Sequence, residues 1–252
     1  MANAKPLFFM RTLLRFFFYL LYHPFAFTYD LVAEVVSLGR WKDWVLSVVP
    51  FIEGNRILEF GHGPGHLQRV LLSRNLVAVG IDESAPMGRL AKRNLAHFLD
   101  SKTNHPNQTS NNQRRAYAQV NLTRGVGQHL PFSDESFDSI VATFPSEYIT
   151  NPDTLAEVTR CLMNSGRFIV LPVAMLTGRG ILDRVMSLVF RVTHETPEDP
   201  IDIFSKRFER PFIEAGFQVQ VKQVEVKSSL LLIIIAIKDK YVIASGAKQS
   251  PV

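Results

Sequence analysis

The sequence is poor in residues that form disulfides or bind transition metals. Its 252 residues include a single cysteine, Cys161, which excludes an internal disulfide and a thiolate metal cluster. Its seven histidines offer no pair that we interpret as metal ligands. We therefore expect no bound metal, and we expect the reducing cytoplasm as the compartment of the protein.

The sequence also lacks an apolar run long enough to cross a bilayer. The apolar and aromatic segment of residues 8–22 is shorter than the roughly 20 residues that a transmembrane helix needs, and it contains Arg11 and Arg15. A signal peptide requires an uninterrupted apolar core, and Arg15 interrupts the apolar run here. The two arginines recur at helical spacing with Tyr19 and Tyr22, so we predict an amphipathic helix. This helix would either lie on a membrane surface, giving residues 8–22 a peripheral membrane contact, or cover the core of the following domain.

No part of the chain concentrates positive charge. The 28 lysines and arginines exceed the 23 aspartates and glutamates by five, and the excess is spread thinly along the sequence. Basic residues form no stripe interleaved with aromatic residues, which is the usual footprint of a nucleic-acid surface. We therefore expect no nucleic-acid partner.

The chain does contain a regular alternation of short apolar strands and amphipathic helices. It follows two helices predicted between Asp30 and Phe51, and it is typical of a doubly wound α/β fold with a mainly parallel sheet. The predicted strands are Arg56–Phe60, Leu76–Ile81, Ala116–Val120, Ser139–Thr143, Arg167–Pro172, Gln218–Val226 and Leu230–Ile237. The predicted helices are Leu67–Arg74, Pro86–Leu99, Asp153–Met163, Ile181–Val192 and one that ends at Gly216. The short link Lys227–Ser229 permits only a hairpin, so the seven-stranded sheet should end in an antiparallel strand.

The first and last residues of this alternating region predict the segment boundaries of the chain. We interpret residues 1–50 as an N-terminal helical segment and residues 51–240 as the α/β domain. Residues 241–252 show no periodicity, so we expect a disordered tail. Ser101–Asn112 is rich in Asn, Ser, Thr and Gln, and we interpret it as a mobile surface insertion.

The glycine-rich motif LEFGHGPGHL lies where the first strand leads into a helix. Its glycines are Gly61, Gly63 and Gly65. Because glycine has no Cβ, the backbone of this turn can approach a nucleotide-like ligand at the N-terminus of the helix. A dinucleotide fold would have a glycine where His66 stands, so NAD is disfavoured. Asp82 follows the second strand about 20 residues after the first glycine, where a carboxylate can accept both hydroxyls of a ribose.

Four successive segments resemble the motifs of class I S-adenosylmethionine methyltransferases. They are LEFGHGPGHL, VGIDES, QHLPFSDESFDSIVATFP and CLMNSGRFIVLP, and the resemblance runs from about Tyr29 to Phe217. It implies S-adenosylmethionine as the cofactor, and a Rossmann-like methyltransferase domain at residues 51–240. The layout is most similar to the small-molecule and quinone methyltransferase branch, which implies a small-molecule or lipid-like acceptor.

The resemblance also implies roles for individual residues. It assigns to cofactor binding Tyr29, Glu59, Gly61, His62, Gly63, Gly65, Asp82, Glu83, Gln128, His129 and Phe144. Within this set, Glu59 would lie near the methionine end of the cofactor, and Asp82 would bind the ribose. The backbone of Gly127–His129 would flank the adenine, and Phe144 would begin the loop that faces the transferred methyl group. One position departs from the pattern, because Val126 stands where many relatives have an aspartate that bonds the adenine amine.

No residue is assigned as a catalytic base from the sequence. Glu147, Tyr148 and His129 are weak candidates, since helix capping, core packing and solvent exposure, respectively, explain them better than catalysis does. TFPSEY replaces the Asp/Asn-Pro-Pro-aromatic motif of nucleic-acid amino methyltransferases, which again disfavours nucleic acid. The alternative to an enzyme is a catalytically silent cofactor-binding module that associates with a membrane.

Overall fold

The computed structural model describes residues 37–103, 121–176 and 208–239, with side chains in the first range described up to Leu99. Its helices are α1 (Trp41–Leu46), α2 (His66–Ser73), α3 (Ala85–Thr103), α4 (Pro152–Cys161) and α5 (208–214), and 3₁₀ helices occupy Val49–Phe51 and Glu147–Thr150. Its strands are β1 (Arg56–Phe60), β2 (Val77–Asp82), β3 (Asn121–Arg124), β4 (Phe137–Thr143), β5 (Leu162–Leu176), β6 (Phe217–Glu225) and β7 (Ser229–Lys238). The predictions for residues 8–22, Tyr29, Ala116–Val120, Ile181–Val192 and 241–252 lie outside the described residues.

The described strands form one seven-stranded sheet in the order β3-β2-β1-β4-β5-β7-β6. Strand β4 runs parallel to β1 and to β5, and β2 runs parallel to β3. Strand β7 runs antiparallel to both β5 and β6. This topology confirms the predicted doubly wound, mainly parallel α/β fold with a C-terminal antiparallel hairpin.

The residue pattern of each strand follows from its position in the sheet. Strand β7 has a neighbour on each side, and its residues from Leu231 to Ala236 are all buried. A strand covered on both faces needs a continuous apolar run rather than an alternating one, and β7 supplies it. The edge strand β6 is partly exposed along most of its length, and its sequence alternates polar and apolar residues.

Contacts within the chain define two compact units, residues 1–42 with 61–126 and residues 43–60 with 127–252. In the first unit, α2 buries its apolar face through Leu67, Leu71 and Leu72. In the second unit, the ring of Phe168 packs against those of Phe60 and Phe212, with centroid distances of 6.1 and 5.8 Å. Aromatic pairs in this range add to the stability that simple burial provides.

Two predicted boundaries differ from the structure. Helix α3 continues to Thr103, so the first three residues of the predicted insertion Ser101–Asn112 are helical. No glycine or proline interrupts the chain between Arg89 and Thr103, and the helix therefore has no local reason to end earlier. Strand β5 extends beyond the predicted Arg167–Pro172 at both ends. The C-terminal end of β5 pairs with β7 up to the pair Leu176–Ser229. A local sequence pattern cannot reveal this pairing. Among the described helices, none combines the length and apolar character needed to span a membrane.

Candidate functional site

The glycine turn between β1 and α2 has a backbone that only glycine adopts readily. The φ angles of Gly61, Gly63 and Gly65 are 64°, 50° and 87°, all in the left-handed region. The Gly61 N–H donates to the Ile81 carbonyl at 2.8 Å, and the Gly65 N–H donates to the His62 carbonyl at 2.9 Å. A Cβ on Gly65 would lie 3.4 Å from the Cβ of Ala91, so helix α3 packs directly against this turn. The glycines therefore serve both the turn and the packing beneath it.

Asp82 connects the glycine turn to the end of β2. Its Oδ2 accepts a hydrogen bond from the Gly63 N–H at 2.9 Å, and its Oδ1 accepts one from the Ser84 N–H at 2.8 Å. A carboxylate oxygen has more than one lone pair, so both oxygens can still accept from ribose hydroxyls. The side chain is only partly buried, which leaves it accessible to a ligand.

His62 lies inside the turn rather than on its surface. It is 3% exposed, and a Cβ on Gly80 would lie 2.9 Å from its Cδ2 atom. Burial lowers the pKa of His62, while the neighbouring Asp82 charge opposes this change. The Nδ1 atom lies 2.9 Å from the Gly63 carbonyl, which can only accept, so Nδ1 carries the proton of a neutral imidazole. His62 thus supports the shape of the turn from within.

The segment assigned to adenine lies along helix α4 in the second unit. Gly127 is buried, Gln128 is partly exposed and His129 is exposed. The carboxylate of Glu157 accepts from the Leu130 N–H at 2.7 Å. Arg160 donates to the Leu130 carbonyl at 3.1 Å and pairs with Glu157 at 2.8 Å.

The end of β4 carries a strained aromatic residue. Phe144 has a φ angle of 50°, which is unusual for a bulky side chain, and its N–H donates to the Leu171 carbonyl at 2.7 Å. Its ring lies 6.1 Å from the ring of Trp44 on α1, centroid to centroid, at an interplanar angle of 51°. Strained residues of this kind concentrate at functional sites. The role that the sequence resemblance implies for Phe144 stays a prediction.

The remaining predicted residues fall in varied surroundings. Glu59 is 2% exposed and lies in register with Val141 of β4. Glu83 is exposed, and its carbonyl accepts from the Arg124 side chain at 2.9 Å. Glu147 is exposed at the start of a 3₁₀ helix, and its carbonyl accepts from Thr150.

Two of the three weak candidates for a base lie at the adenine segment. Tyr148 packs beside it, and His129 is its last residue. Tyr148 is partly buried, and a Cβ on Gly127 would lie 3.3 Å from its ring. His129 acts electrostatically on Glu157 and lowers its pKa together with stronger contributions from Arg160. Within the described residues, these observations do not select one of the three side chains as a base.

Sequence reasoning missed the two charged residues of α4 and the aromatic partner of Phe144. Glu157 and Arg160 are three residues apart on a predicted helix, a spacing that indicates a shared face. Nothing in the sequence indicates that this face meets the backbone of Leu130. Trp44 lies within the helical segment predicted between Asp30 and Phe51, and no local pattern indicates its partner, which is 100 residues away in the chain.

Comparisons with known proteins are consistent with this geometry. Residues 58–170 match the family model described as a methyltransferase domain. An uncharacterized methyltransferase from Anoxybacillus flavithermus is 27% identical over 135 residues, which are 52% of this chain and 53% of the relative. A demethylmenaquinone methyltransferase from Symbiobacterium thermophilum is 29% identical over 160 residues, which are 60% of this chain and 57% of the relative. The chain thus spans little more than half the length of these curated relatives.

A solved structure gives the fold independently. A candidate S-adenosylmethionine-dependent methyltransferase from Methanococcus maripaludis superposes with a TM-score of 0.53 at 18% identity. The superposition covers 86% of this chain and 94% of the other. At this identity the likeness concerns the fold alone.

The sheet topology defines a Rossmann-like α/β protein, and the glycine turn beside Asp82 has the geometry that suits a nucleoside. Together with the domain match, which covers less than half of the chain, they make residues 58–170 similar to the class I S-adenosylmethionine-dependent methyltransferases. S-adenosylmethionine is the cofactor that this similarity implies. The residues present fit this group, because Asp82 is accessible and keeps acceptor capacity beside a turn that has no side chains at 61, 63 and 65.

Proposed function

We propose that this protein transfers the methyl group of S-adenosylmethionine to a small apolar or lipid-like acceptor, with a quinone-type ring as the favoured class. The observation that best supports this proposal is the hydrogen bond between the Gly63 N–H and Asp82 Oδ2, at 2.9 Å. It holds the glycine turn next to the acid that ends β2, which is the arrangement a nucleoside cofactor requires. The demethylmenaquinone methyltransferase among the relatives supports the choice of acceptor.

The chain's own residues would bind and orient the cofactor. Asp82 would accept from the ribose hydroxyls, and the backbone of the glycine turn would pass beside the amino-acid part. The backbone of Gly127–His129 would flank the adenine. S-adenosylmethionine supplies a methyl group on a sulfonium, which is electrophilic without further activation. The protein's main contribution is therefore alignment of the acceptor and exclusion of water.

A general base is useful only if the acceptor atom carries a proton that must leave, as on a hydroxyl or an acidic carbon. Glu147, Tyr148 and His129 remain the candidates for this role. Tyr148 is the one with a ring packed beside the adenine segment, whereas Glu147 and His129 are exposed. We propose no assignment among them, and substitution of each should be compared once an acceptor is found.

The aromatic residue at the end of β4 supports an apolar acceptor. Phe144 is partly exposed there, and its ring lies 6.1 Å from that of Trp44, which is buried behind it. Aromatic rings bind flat apolar groups through a large contact area and offer them few polar partners. An acceptor that is itself a ring with an apolar tail would match such a surface.

Titration calorimetry tests the cofactor first. The protein is titrated with S-adenosylmethionine, S-adenosylhomocysteine and NAD, and Asp82→Ala is titrated as the control. We expect saturable binding of the first two ligands and its loss in the variant. Binding of NAD alone, or of no ligand, would overturn the proposal.

An acceptor screen then distinguishes an enzyme from a silent module. Demethylated quinones in detergent micelles are incubated with the protein and S-adenosylmethionine, and methylated products are measured by mass spectrometry. Product formation above that of Asp82→Ala supports the proposed acceptor class. Tight cofactor binding with no product from any acceptor class would favour the catalytically silent module.

We also propose that the protein acts in the cytoplasm and contacts a membrane peripherally through residues 8–22. A lipid-like acceptor would be reached most easily from a membrane surface. The test compares the full chain with a variant lacking residues 1–23 in co-sedimentation with anionic phospholipid vesicles. Loss of sedimentation with unchanged affinity for S-adenosylhomocysteine is expected for an anchor. Loss of cofactor affinity without a change in sedimentation would instead indicate a lid.

A further inference from the structure

One face of helix α4 contacts the backbone of the segment that leads into β4. Thr154, Glu157 and Arg160 follow one another at intervals of three residues, so they share a face of the helix. All three contact the stretch from Gly127 to Phe132. The helix therefore supports this stretch at several points along its length.

The strongest support is at Leu130, where both backbone groups are bound. The Leu130 N–H donates to Glu157 Oε2 at 2.7 Å, and the Leu130 carbonyl accepts from Arg160 Nη2 at 3.1 Å. Arg160 also donates to the Phe132 carbonyl at 2.7 Å and pairs with Asp134 at 2.8 Å. Hydrogen bonds with one charged partner are stronger than neutral ones, and here two oppositely charged groups bind a single residue.

The two charges also hold each other in place. Arg160 binds Glu157 through Nε at 2.8 Å and through Nη2 at 2.9 Å, a two-pronged pairing. The Arg160 side chain is 31% exposed and the Glu157 side chain 18%, so solvent screens the pair only in part. The hydrogen bond from the Arg160 guanidinium lowers the pKa of Glu157 to about 2, so this carboxylate is charged at neutral pH.

The other end of the stretch packs against Thr154. A Cβ on Gly127 would lie 3.0 Å from Thr154 Cγ2 and 3.3 Å from Thr154 Oγ1, so the backbone approaches the helix too closely for a side chain. Thr154 is fully buried, and its Oγ1 has no hydrogen-bond partner among the described residues. Gly127 is thus fixed by close packing, and Leu130 is fixed by hydrogen bonds.

We propose that Glu157 and Arg160 are positioning residues for the nucleobase of the cofactor, acting through the backbone of Gly127–His129. This inference rests on the proposed function, which places the adenine along that backbone. Because Val126 replaces the acidic side chain that would bond the adenine amine, base recognition falls to backbone groups. Backbone groups can discriminate only if their positions are fixed. The two charges on α4 fix the backbone at Leu130, directly after His129, and Thr154 packs against Gly127 at the other end.

Asp138 provides a matched control in the same unit. Its carboxylate accepts from the Asn55 N–H at 2.8 Å and the Arg56 N–H at 2.9 Å, and it pairs with the Arg56 guanidinium at 3.0 Å. The chemistry equals that of Glu157, but it holds the start of β1 rather than the adenine segment. Glu157→Gln and Asp138→Asn therefore remove the same kind of interaction at two places.

The experiment measures affinity for S-adenosylhomocysteine by calorimetry and stability by urea unfolding, in the full chain and both variants. For Glu157→Gln we expect the affinity to fall about tenfold, since an unfixed segment must be ordered on binding. We expect Asp138→Asn to lose comparable stability and to keep its affinity within about twofold. Arg160→Lys is a milder third variant. It keeps the positive charge but loses the planar fork with which the guanidinium reaches both carbonyls.

Base discrimination gives a readout that a merely structural role would not change. S-inosylhomocysteine has an oxygen where adenine carries its amine, and the ratio of its dissociation constant to that of S-adenosylhomocysteine reports recognition of the base. We expect this ratio to decrease in Glu157→Gln and Arg160→Lys and to be unchanged in Asp138→Asn. Wild-type affinity and an unchanged ratio in the α4 variants would overturn this inference alone. Absence of binding by the full wild-type chain would overturn the proposed function and this inference with it.

Discussion

Replacement of Phe144 by glycine and by alanine separates the strain of this residue from its contacts. Phe144 has a φ angle of 50°, and its ring packs 6.1 Å from that of Trp44. Alanine removes the ring but keeps a Cβ in the left-handed region. Glycine removes the ring and the strain together. The two variants therefore lose the same aromatic contact and differ in backbone strain.

The magnitudes can be worked out from these two terms. Loss of the aromatic pair costs about 0.5–1.5 kcal/mol, and a residue held in a sparsely populated backbone region costs about 1–3 kcal/mol. Phe144→Ala should be destabilised by the first term, because its strain remains. In Phe144→Gly the relief of strain offsets that loss, although glycine adds entropy to the unfolded chain. We expect the glycine variant to be the more stable of the two by about 1 kcal/mol.

Urea unfolding followed by circular dichroism measures this difference, and the two variants should have equal m-values. In contrast to stability, turnover should fall in both variants, since both lack the ring at the end of β4. An alanine variant as stable as the glycine variant would refute the argument from strain. Full activity in the glycine variant would refute the functional role of the ring.

Three further outcomes follow from the packing and charges of single residues. Gly80→Ala should lose about 1–3 kcal/mol, because its Cβ would lie 2.7 Å from Leu122 Cδ2 and 2.9 Å from His62 Cδ2. Gly88→Ala, which meets nothing within 4 Å, should not lose stability in the same unfolding assay. The stability advantage of wild type over Glu157→Gln should be full above pH 4.5 and narrow as the pH falls toward 2, since the folded pKa of Glu157 is lowered to about 2; a constant difference in acid unfolding would contradict this. Burial raises the thiol pKa of Cys161 to about 11, so iodoacetamide should modify it at pH 8 only after unfolding, as mass spectrometry would detect.

The elements of the fold were predictable where the local hydrophobic pattern is bounded by residues, such as glycine, that end strands and helices. Strand β1 has the predicted bounds, Arg56–Phe60, because glycines at 54 and 61 mark both of its ends. Strand β5 was predicted too short, because its last residues are strand only through pairing with β7. That pairing joins segments about 60 residues apart, and no local pattern reports it.

The candidate site was predictable in its residue types but not in its contacts. The spacing of the glycines and Asp82 indicated a nucleoside site. The hydrogen bonds from Gly63 and Ser84 to that acid follow from the left-handed turn, which the sequence permits but does not specify. A charged pair such as Glu157 and Arg160 usually lies on a solvated helix face. Only the packing of α4 shows that this pair binds backbone instead.

The two hydrogen bonds of Asp82 change how its substitution must be interpreted. Asp82→Ala removes the acceptor of Gly63 and Ser84 at once, so the glycine turn should loosen even without a ligand. A lower affinity could then arise from a disordered turn as well as from a missing ribose contact. Thermal unfolding with and without S-adenosylhomocysteine separates the two effects, because ligand at about 100 times its dissociation constant stabilises the wild type by about 2.7 kcal/mol. If Asp82 both shapes the turn and binds the ribose, the variant should melt earlier and lose the shift caused by the ligand. An earlier melting point with an undiminished shift would leave Asp82 as a structural residue and place the ribose elsewhere.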